Sequence, residues 1–502
     1  MLGLFNPNSR NVRILRSLTL LMAVMLGANV AIADTKQPNV VIILADDLGW
    51  NDVGYHGSEI KTPHLDQLAQ AGVVLEHYHS QPTCTPTRAA LLTGKSPQRL
   101  GIYRQFAKNA VEGLPTEERT LADLLRAHGY QTWLTGKWHL GHARPEFLPN
   151  ARGFDHFYGH VTGGIGYWDH VHGGGLDWQR NGATVRENGY STHLLAQEAI
   201  KKITQRDTER PFFLYASFNA PHLPNEAPQA ALDAYVEMAS PQRRLHAAMV
   251  SELDRAIGQI VATLSAEQIL DNTLIWFMSD NGGLNPQAGL GGFLSLAETL
   301  DAWFDPPVPI TFLEFIRTNA LDGGADNTPL REGKGSIYQG GVRVPSVVHF
   351  PNQLTSSVQD AFITVQDVLP TLLDATGINV PADLDGRSRW KTLQSQTEPQ
   401  APNYYVTMGQ QGTQAFYRWP WKLLETDDGY ALYDLSADPL EQHDLAAAES
   451  ARVMSMAADL DNIPRAENLH IPIYKVIWDP DFFGGTEDRP PWAELAREKE
   501  TQ

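Results

Sequence analysis

Four short apolar runs restrict this chain more than any other feature. They are NVVIILADD (39–47), YQTWLTGKWHLG (130–141), RPFFLYASFNAPH (210–222) and NTLIWFMSDNGG (272–283). Each reads as a strand, the first as one buried on both faces of a parallel sheet. Helical segments such as TLADLLRAHG and HAAMVSELDRAIGQIVATL lie between them. Alternating strands and helices predict an α/β fold, a mostly parallel sheet with helices on both faces. In such sheets ligands bind beyond the carboxyl ends of the strands. All four runs leave polar residues there: Asp46 and Asp47, Lys137 and His139, Asn219 and His222, Asp280 and Asn281. One shared site is the expectation.

The chemistry of that set can be sorted. Asp46, Asp47, Asp280 and Asn281 offer oxygen ligands only. Hard oxygens select Ca²⁺ or Mg²⁺ over zinc or copper. Taken singly, an Asp pair after a strand is often a helix cap, and Asp-Asn-Gly-Gly is often a turn. Their equivalent positions at strand ends favour ligation. Lys137, His139 and His222 are the cationic or proton-handling groups. The stretch LREGKGSIYQGGVRVP (330–345) is Gly-rich and basic, without the strand-then-helix setting of a dinucleotide or P-loop site. Lys334 is its candidate anion contact.

QPTCTPTRAALLTG (81–94) holds Cys84, the only cysteine in 502 residues. A lone cysteine excludes a disulfide framework within the chain. A buried, inert thiol is one reading. The neighbours favour another: Thr85 suits an N-cap, Pro86 a first helical position, and Gly94 a stop. Cys84 would then sit just ahead of a positive helix N-terminus, with Arg88 one turn on.

The N-terminus carries Arg10, Arg13 and Arg16, an apolar run from Leu18 to Leu26, and Ala31-Ile32-Ala33. That is the pattern of a secretory signal peptide, here residues 1–33, and the run is short for a bilayer span. A periplasmic or secreted protein without stable membrane insertion is expected. With 42% hydrophobic residues the chain can build a large core and two domains. Acidic residues outnumber basic ones, 58 to 39, which argues against nonspecific nucleic-acid binding. An anionic substrate would need a local basic pocket.

CTPTRAALLTG resembles the type I sulfatase signature, Cys-x-Pro-x-Arg followed by Leu-Thr-Gly. GKWHLG, APH, SDNGG, GKGSIYQGGVRVP and WKLLETDDGYALYDLSADPLEQHDLA resemble that family's other blocks in the same order. The resemblance covers roughly residues 38 to 450. It implies an alkaline-phosphatase-like α/β fold, with a catalytic domain over 34–395 and a smaller C-terminal subdomain over 396–502. There NYYVTMG, TQAFYRWPWKLLE and YALYDL read as antiparallel strands, and DLDGRS (383–388) as a linker or surface loop.

The resemblance also implies a chemistry. Cys84 would be oxidised to Cα-formylglycine by a sulfatase-maturing enzyme that reads the signature. It would join Asp46, Asp47, Asp280 and Asn281 around Ca²⁺. Arg88 and Lys137 would hold residue 84, and His139 would be the base for sulfate release. His222 and Lys334 would face the sulfate and the leaving oxygen. A hydrated aldehyde carries two hydroxyls, one to attack sulfur and one to expel sulfate by re-forming the aldehyde. A sulfated glycan is the expected substrate, and a phosphodiesterase or phosphonate monoester hydrolase of the same superfamily is the alternative.

Two regions are candidates for substrate choice. GFDHFYGHVTGGIGYWDHVHGGGLDWQRNG (153–182) is rich in aromatics, His and Gly, and resembles the block of arylsulfatase B and N-acetylgalactosamine-type members. Residues 284–327 form an apolar insert that reads as two short helices broken at Pro306-Pro307, a candidate lid.

Overall fold

Strand β1 (Asn39–Ala45) shows why the molecule is layered. Val40, Ile42 and Leu44 enter one apolar cluster, while Val41, Ile43 and Ala45 enter another. A strand with apolar residues on both faces must be covered on both. The structure is a computed structural model that describes residues 37–107, 110–172, 175–284, 323–395, 404–409, 412–426 and 428–467.

Among the described residues, the main sheet has ten strands. After β1 they are β2 (Val73–Leu75), β3 (Gln131–Lys137), β4 (His156–His160), β5 (Gln179–Arg180), β6 (Ala183–Thr184), β7 (Phe212–Ser217), β8 (Thr273–Ser279), β9 (Ser346–His349) and β10 (Ser357–Gln359). Their spatial order is β10-β2-β9-β8-β1-β7-β3-β4-β5-β6. The four apolar runs are therefore β8, β1, β7 and β3, side by side and all parallel. Ile42 of β1 lies between Trp276 of β8 and Tyr215 of β7, and Tyr215 is also opposite Leu134 of β3. In-register parallel pairing brings the four carboxyl ends together. β4 adds a further parallel strand, with Lys137 opposite His160. The antiparallel pairings lie outside this block, β9 beside β8 and β5 beside β4.

One face of the sheet is covered by α2 (Cys84–Thr93), α3 (Leu121–Ala127) and α6 (Val368–Ala375). The other is covered by α1 (Pro63–Ala71), α4 (Ser191–Thr204) and α5 (Pro241–Ala266). Local signals start α3 within the expected TLADLLRAHG, and start α5 at Pro241, ahead of the expected HAAMVSELDRAIGQIVATL. Thr120 and Asp123 form a capping box at α3, and Ser240 caps α5 with Pro241 in its first turn. Helix α2 departs from expectation. Its N-cap is Thr83, so Cys84 is the first helical residue and Pro86 the third. The first four N–H groups of a helix have no partner within it, so Pro86 forfeits no hydrogen bond there. Gly94 ends α2 in the left-handed conformation, as the sequence indicates.

A second sheet is an antiparallel meander of β11 (Tyr404–Met408), β12 (Gln414–Arg418), β13 (Trp421–Thr426) and β14 (Gly429–Asp434). Val406, Phe416, Leu423 and Leu432 pack on Met456 and Leu460 of α7 (Ser450–Asp461). Tyr405, Ala415, Tyr417 and Leu424 join the main core. The stretch expected as a single strand, TQAFYRWPWKLLE, is a hairpin that turns at Trp419-Pro420. Proline has no N–H for a ladder, and the chain reverses there. DLDGRS is a surface loop tied to α2, since the N–H groups of Asp385 and Gly386 donate to Gly94 O.

The large, mostly parallel sheet with flanking helices and a small antiparallel sheet is the α/β architecture read from the sequence. The leader (1–33) and the expected insert helices fall on residues 1–36 and 285–322, outside the described residues. No helix among the described residues is long and apolar enough to cross a membrane.

Candidate active site

The site grows from the end of β1. Asp47 takes a left-handed backbone (φ 68°), which Asp tolerates better than most residues. Its N–H donates to Asp280 Oδ1 at 3.2 Å, and the Asp280 N–H donates to Ala45 O at 3.0 Å. The ends of β1 and β8 are thereby stitched together. Asn281 Nδ2 donates to Asp47 Oδ1 at 2.8 Å, which leaves Asn281 Oδ1 as an available acceptor. Asn281 Oδ1 and Asp46 Oδ1 are buried and have no hydrogen-bond partner among the described residues. One atom each from Asp46, Asp47 and His222 also lie within 4.8 Å of one another, a group able to hold a metal ion.

Cations are threaded through this acidic cluster. Arg88, one turn into α2, reaches Asp280 Oδ2 with Nη2 at 2.9 Å and Nε at 3.2 Å. Its Nη1 donates to Lys137 O at 3.1 Å and to Ser217 Oγ at 2.5 Å. One guanidinium thus ties α2 to the ends of β8, β3 and β7. Lys137 Nζ meets Asp46 Oδ2 at 2.6 Å, and Lys334 Nζ meets Asp47 Oδ2 at 2.7 Å. His222 Nε2 lies 3.7 Å from the same Asp47 oxygen. Gly136 lets β3 and β7 approach: at φ 116°, a Cβ there would come within 1.8 Å of Ser217 O.

Burial and neighbouring charge set the protonation states. Burial, then the adjacent Asp46, pushes the Asp280 carboxyl up to about 7. Burial opposes the charge on Asp47, but Lys334 and His222 outweigh it and hold the carboxyl below its usual range. Burial likewise opposes the Lys334 charge, and Asp47 outweighs it, so the ammonium titrates above its usual range. Burial, then Lys334, lowers His222 to about 3. Burial raises the Cys84 thiol, with Lys137 and Lys334 opposing. Residue 84 therefore carries a protonated thiol, a poor nucleophile as it stands.

His139 is oriented for one task. Burial, then Lys137, holds it far below the usual imidazole range, so the ring is neutral. Its Nε2 lies 2.9 Å from Phe106 O. A carbonyl only accepts, so Nε2 carries the proton and Nδ1 presents a lone pair. That lone pair faces Cys84 Sγ at 3.3 Å. The same logic gives His222 its proton on Nδ1, which donates to Leu223 O at 2.7 Å. Gly163 and Gly164 press against these two rings. A Cβ would come within 2.8 Å of His139 Cε1 at Gly163, and within 2.9 Å of His222 Cε1 at Gly164.

Every residue singled out from the sequence lies in this one region: Asp46, Asp47, Cys84, Arg88, Lys137, His139, His222, Asp280, Asn281 and Lys334. Most of them are fully buried, and the side chains of His222 (19% exposed) and Lys334 (12%) lie nearest solvent. Access therefore passes these two. The sequence reading named neither Ser217 nor the Phe106 carbonyl. Ser217 had a signal, since it ends β7 within a run already identified. The Phe106 contact depends on a pairing that no motif encodes.

The sulfatase family model matches residues 38–378, and the model for the C-terminal part of N-sulphoglucosamine sulphohydrolase matches residues 333–463. Arylsulfatase J of Mus musculus is 35% identical over 373 residues, covering 72% of this chain. The chain spans 56% of the length of that relative. N-acetylgalactosamine-6-sulfatase of Homo sapiens is 31% identical over 419 residues, covering 77% of this chain and 72% of that protein. Among solved structures, Ps i-CgsB in complex with k-i-k-neocarrahexaose aligns with a TM-score of 0.75 at 29% identity, covering 89% of this chain and 98% of that one.

Proposed function

The chain belongs to the sulfatase family and is a sulfuric ester hydrolase, and from that premise we propose that it desulfates a sulfated saccharide, using formylglycine made from Cys84 and a calcium ion. The observation that carries this reading is the seating of Cys84 at the start of α2, its Sγ 3.3 Å from the lone-pair nitrogen of His139. A protonated, unpaired thiol there is idle as a nucleophile and suited as a precursor. The saccharide is supported by a relative named N-acetylgalactosamine-6-sulfatase and by a solved neighbour in complex with k-i-k-neocarrahexaose.

The residues present suit a hard cation. Asp46 Oδ1 and Asn281 Oδ1 are buried oxygens without partners among the described residues. Asp280 is pushed up to about 7 by burial and by Asp46, a cost that a cation would remove. An all-oxygen set matches Ca²⁺. Asp46, Asp47, Asp280 and Asn281 would hold it, with residue 84 completing the set. Bound calcium supplies Lewis-acid polarisation of the sulfate, and the hydrated aldehyde supplies the attacking hydroxyl.

The chain's own groups divide the remaining work. His139 Nδ1 receives a proton at residue 84, since Phe106 O fixes the tautomer that leaves it free. Arg88 and Lys137 hold the site's carboxylates and strand ends in place around residue 84. Lys334 stays charged across the physiological range and faces the entering anion. Neutral His222 carries its proton on Nδ1, committed to Leu223 O, so its Nε2 has none to give the leaving oxygen. A maturing enzyme that recognises the Cys84 signature is the implied partner. The pattern of residues 1–33 supports work in the periplasm or outside the cell, and the motif positions support catalysis in residues 34–395 with residues 396–502 as the smaller subdomain.

The test is a sulfate-release assay on N-acetylgalactosamine 6-sulfate, iota-carrageenan oligosaccharides and 4-nitrophenyl sulfate, with a phosphonate monoester as control. Cys84→Ala and Asp280→Ala should each abolish turnover, and exhaustive chelation should do the same reversibly. Full activity in the Cys84→Ala variant, or hydrolysis of the phosphonate alone, would refute the reading.

A further inference from the structure

His160 ends β4 as the register partner of Lys137. It is fully buried, and neither ring nitrogen has a hydrogen-bond partner among the described residues. Buried polar groups are almost always paired, so an imidazole with both nitrogens idle calls for a partner. Its surroundings indicate where that partner comes from. The titratable groups near enough to act on it electrostatically are Lys137, Arg88, His172 and His222, three of them members of the site. The chain that follows it runs along the site wall, with Gly163 against the His139 ring and Gly164 against the His222 ring. His160 is buried as Cys84 is, and as the in-register partner of Lys137 it shares that residue's face of the sheet.

We propose that His160 is a substrate-binding residue that reads a saccharide hydroxyl next to the sulfate ester. Burial, then Lys137, keeps the ring neutral, with one N–H to donate and one lone pair to fill. Sulfate oxygens only accept, so a sulfate group alone would satisfy one nitrogen and leave the other unpaired. A hydroxyl donates. A sugar presents a sulfate oxygen and a neighbouring hydroxyl together, which matches the imidazole's donor and acceptor. Leaving either nitrogen unpaired in a buried site costs binding, so the contact selects sugars over sulfate esters that lack the hydroxyl. This inference rests on the saccharide sulfatase reading above.

The experiment compares kcat/KM of the mature enzyme on N-acetylgalactosamine 6-sulfate and an iota-carrageenan hexasaccharide with that on 4-nitrophenyl sulfate, which has no hydroxyl. His160→Phe keeps a ring of similar shape and removes both hydrogen bonds. It should lose about tenfold or more on whichever saccharide the wild type hydrolyses, and change by less than about twofold on the aryl ester. His160→Asn retains a donor and an acceptor, should recover part of the saccharide rate, and carries the test if the Phe variant does not fold. Thermal melts establish folding for both. Equal losses on the two substrate types, or no loss on either, would overturn the proposal while leaving the sulfatase reading intact. A wild type that hydrolyses the aryl ester and no saccharide would overturn the saccharide reading and this one with it.

Discussion

At the scale of single residues, burial and single hydrogen bonds fix the tautomers and protonation states of the candidate site. His139 is the clearest case. Its tautomer follows from one backbone carbonyl, that of Phe106, and its neutrality follows from burial beside Lys137. Cys84, Asp46, Asp47, Asp280 and Asn281 were legible in the sequence because strand ends and a rare residue type mark them. Their partners were not. Nothing local says that Phe106 will face His139, or that Lys334 will reach Asp47 across 287 positions of chain. Gly163 offers a test at this scale. In Gly163→Ala the new Cβ meets the His139 ring, with Cε1 at 2.8 Å and Nε2 at 2.9 Å. The ring must shift from its place between Phe106 O and residue 84. We expect kcat to fall about tenfold or more, since sub-ångström misplacement at a reacting centre is costly. The melting temperature should barely move. An unchanged kcat would show that His139 is not positioned by this contact.

At the scale of elements, the small sheet braces the loops that carry Lys334 and Cys84. Lys422 of β13 is fully buried, pairs with Glu441, and donates to Ile337 O at 2.6 Å. Glu441 in turn accepts from the Gln339 N–H at 2.7 Å. Both contacts fall on the segment that presents Lys334. On the other side, Gln81 Nε2 donates to Val406 O of β11 at 2.8 Å, three residues before Cys84. The C-terminal strands were readable from their alternation, but this bracing was not, because it rests on one lysine among many. Lys422→Met leaves Glu441 buried without its cation. We expect a loss of about 3–5 kcal/mol in urea unfolding, together with a raised KM from the loosened Lys334 loop. A loss under about 1 kcal/mol would mean the pair is not the brace described, since that is the range of an exposed ion pair.

At the scale of the whole molecule, the fold brings together chain segments hundreds of residues apart because four buried strands pair in register and in parallel. The alternation of apolar runs made that sheet legible. Its strand order was not, since register and neighbour choice are decided by packing across both faces. The interior also dictates a response to acid. Burial lowers His56 to about 4 and holds His79 and His160 far below the usual range. These imidazoles refuse protons when folded and accept them near pH 6.5 when unfolded. The unfolded state therefore binds more protons between about pH 6.5 and pH 4, and stability falls as pH drops through that window. Calorimetry should show a melting temperature that is level above about pH 7 and declines steeply below about pH 6. A flat profile down to pH 4 would contradict the neutral burial of these rings. The central claim concerns residue 84, and mass spectrometry of the tryptic peptide spanning residues 62–88 from catalytically active protein tests it most directly. We expect that peptide to carry an aldehyde in place of the thiol, in proportion to specific activity. Full activity from protein whose peptide holds only unmodified cysteine would contradict the account.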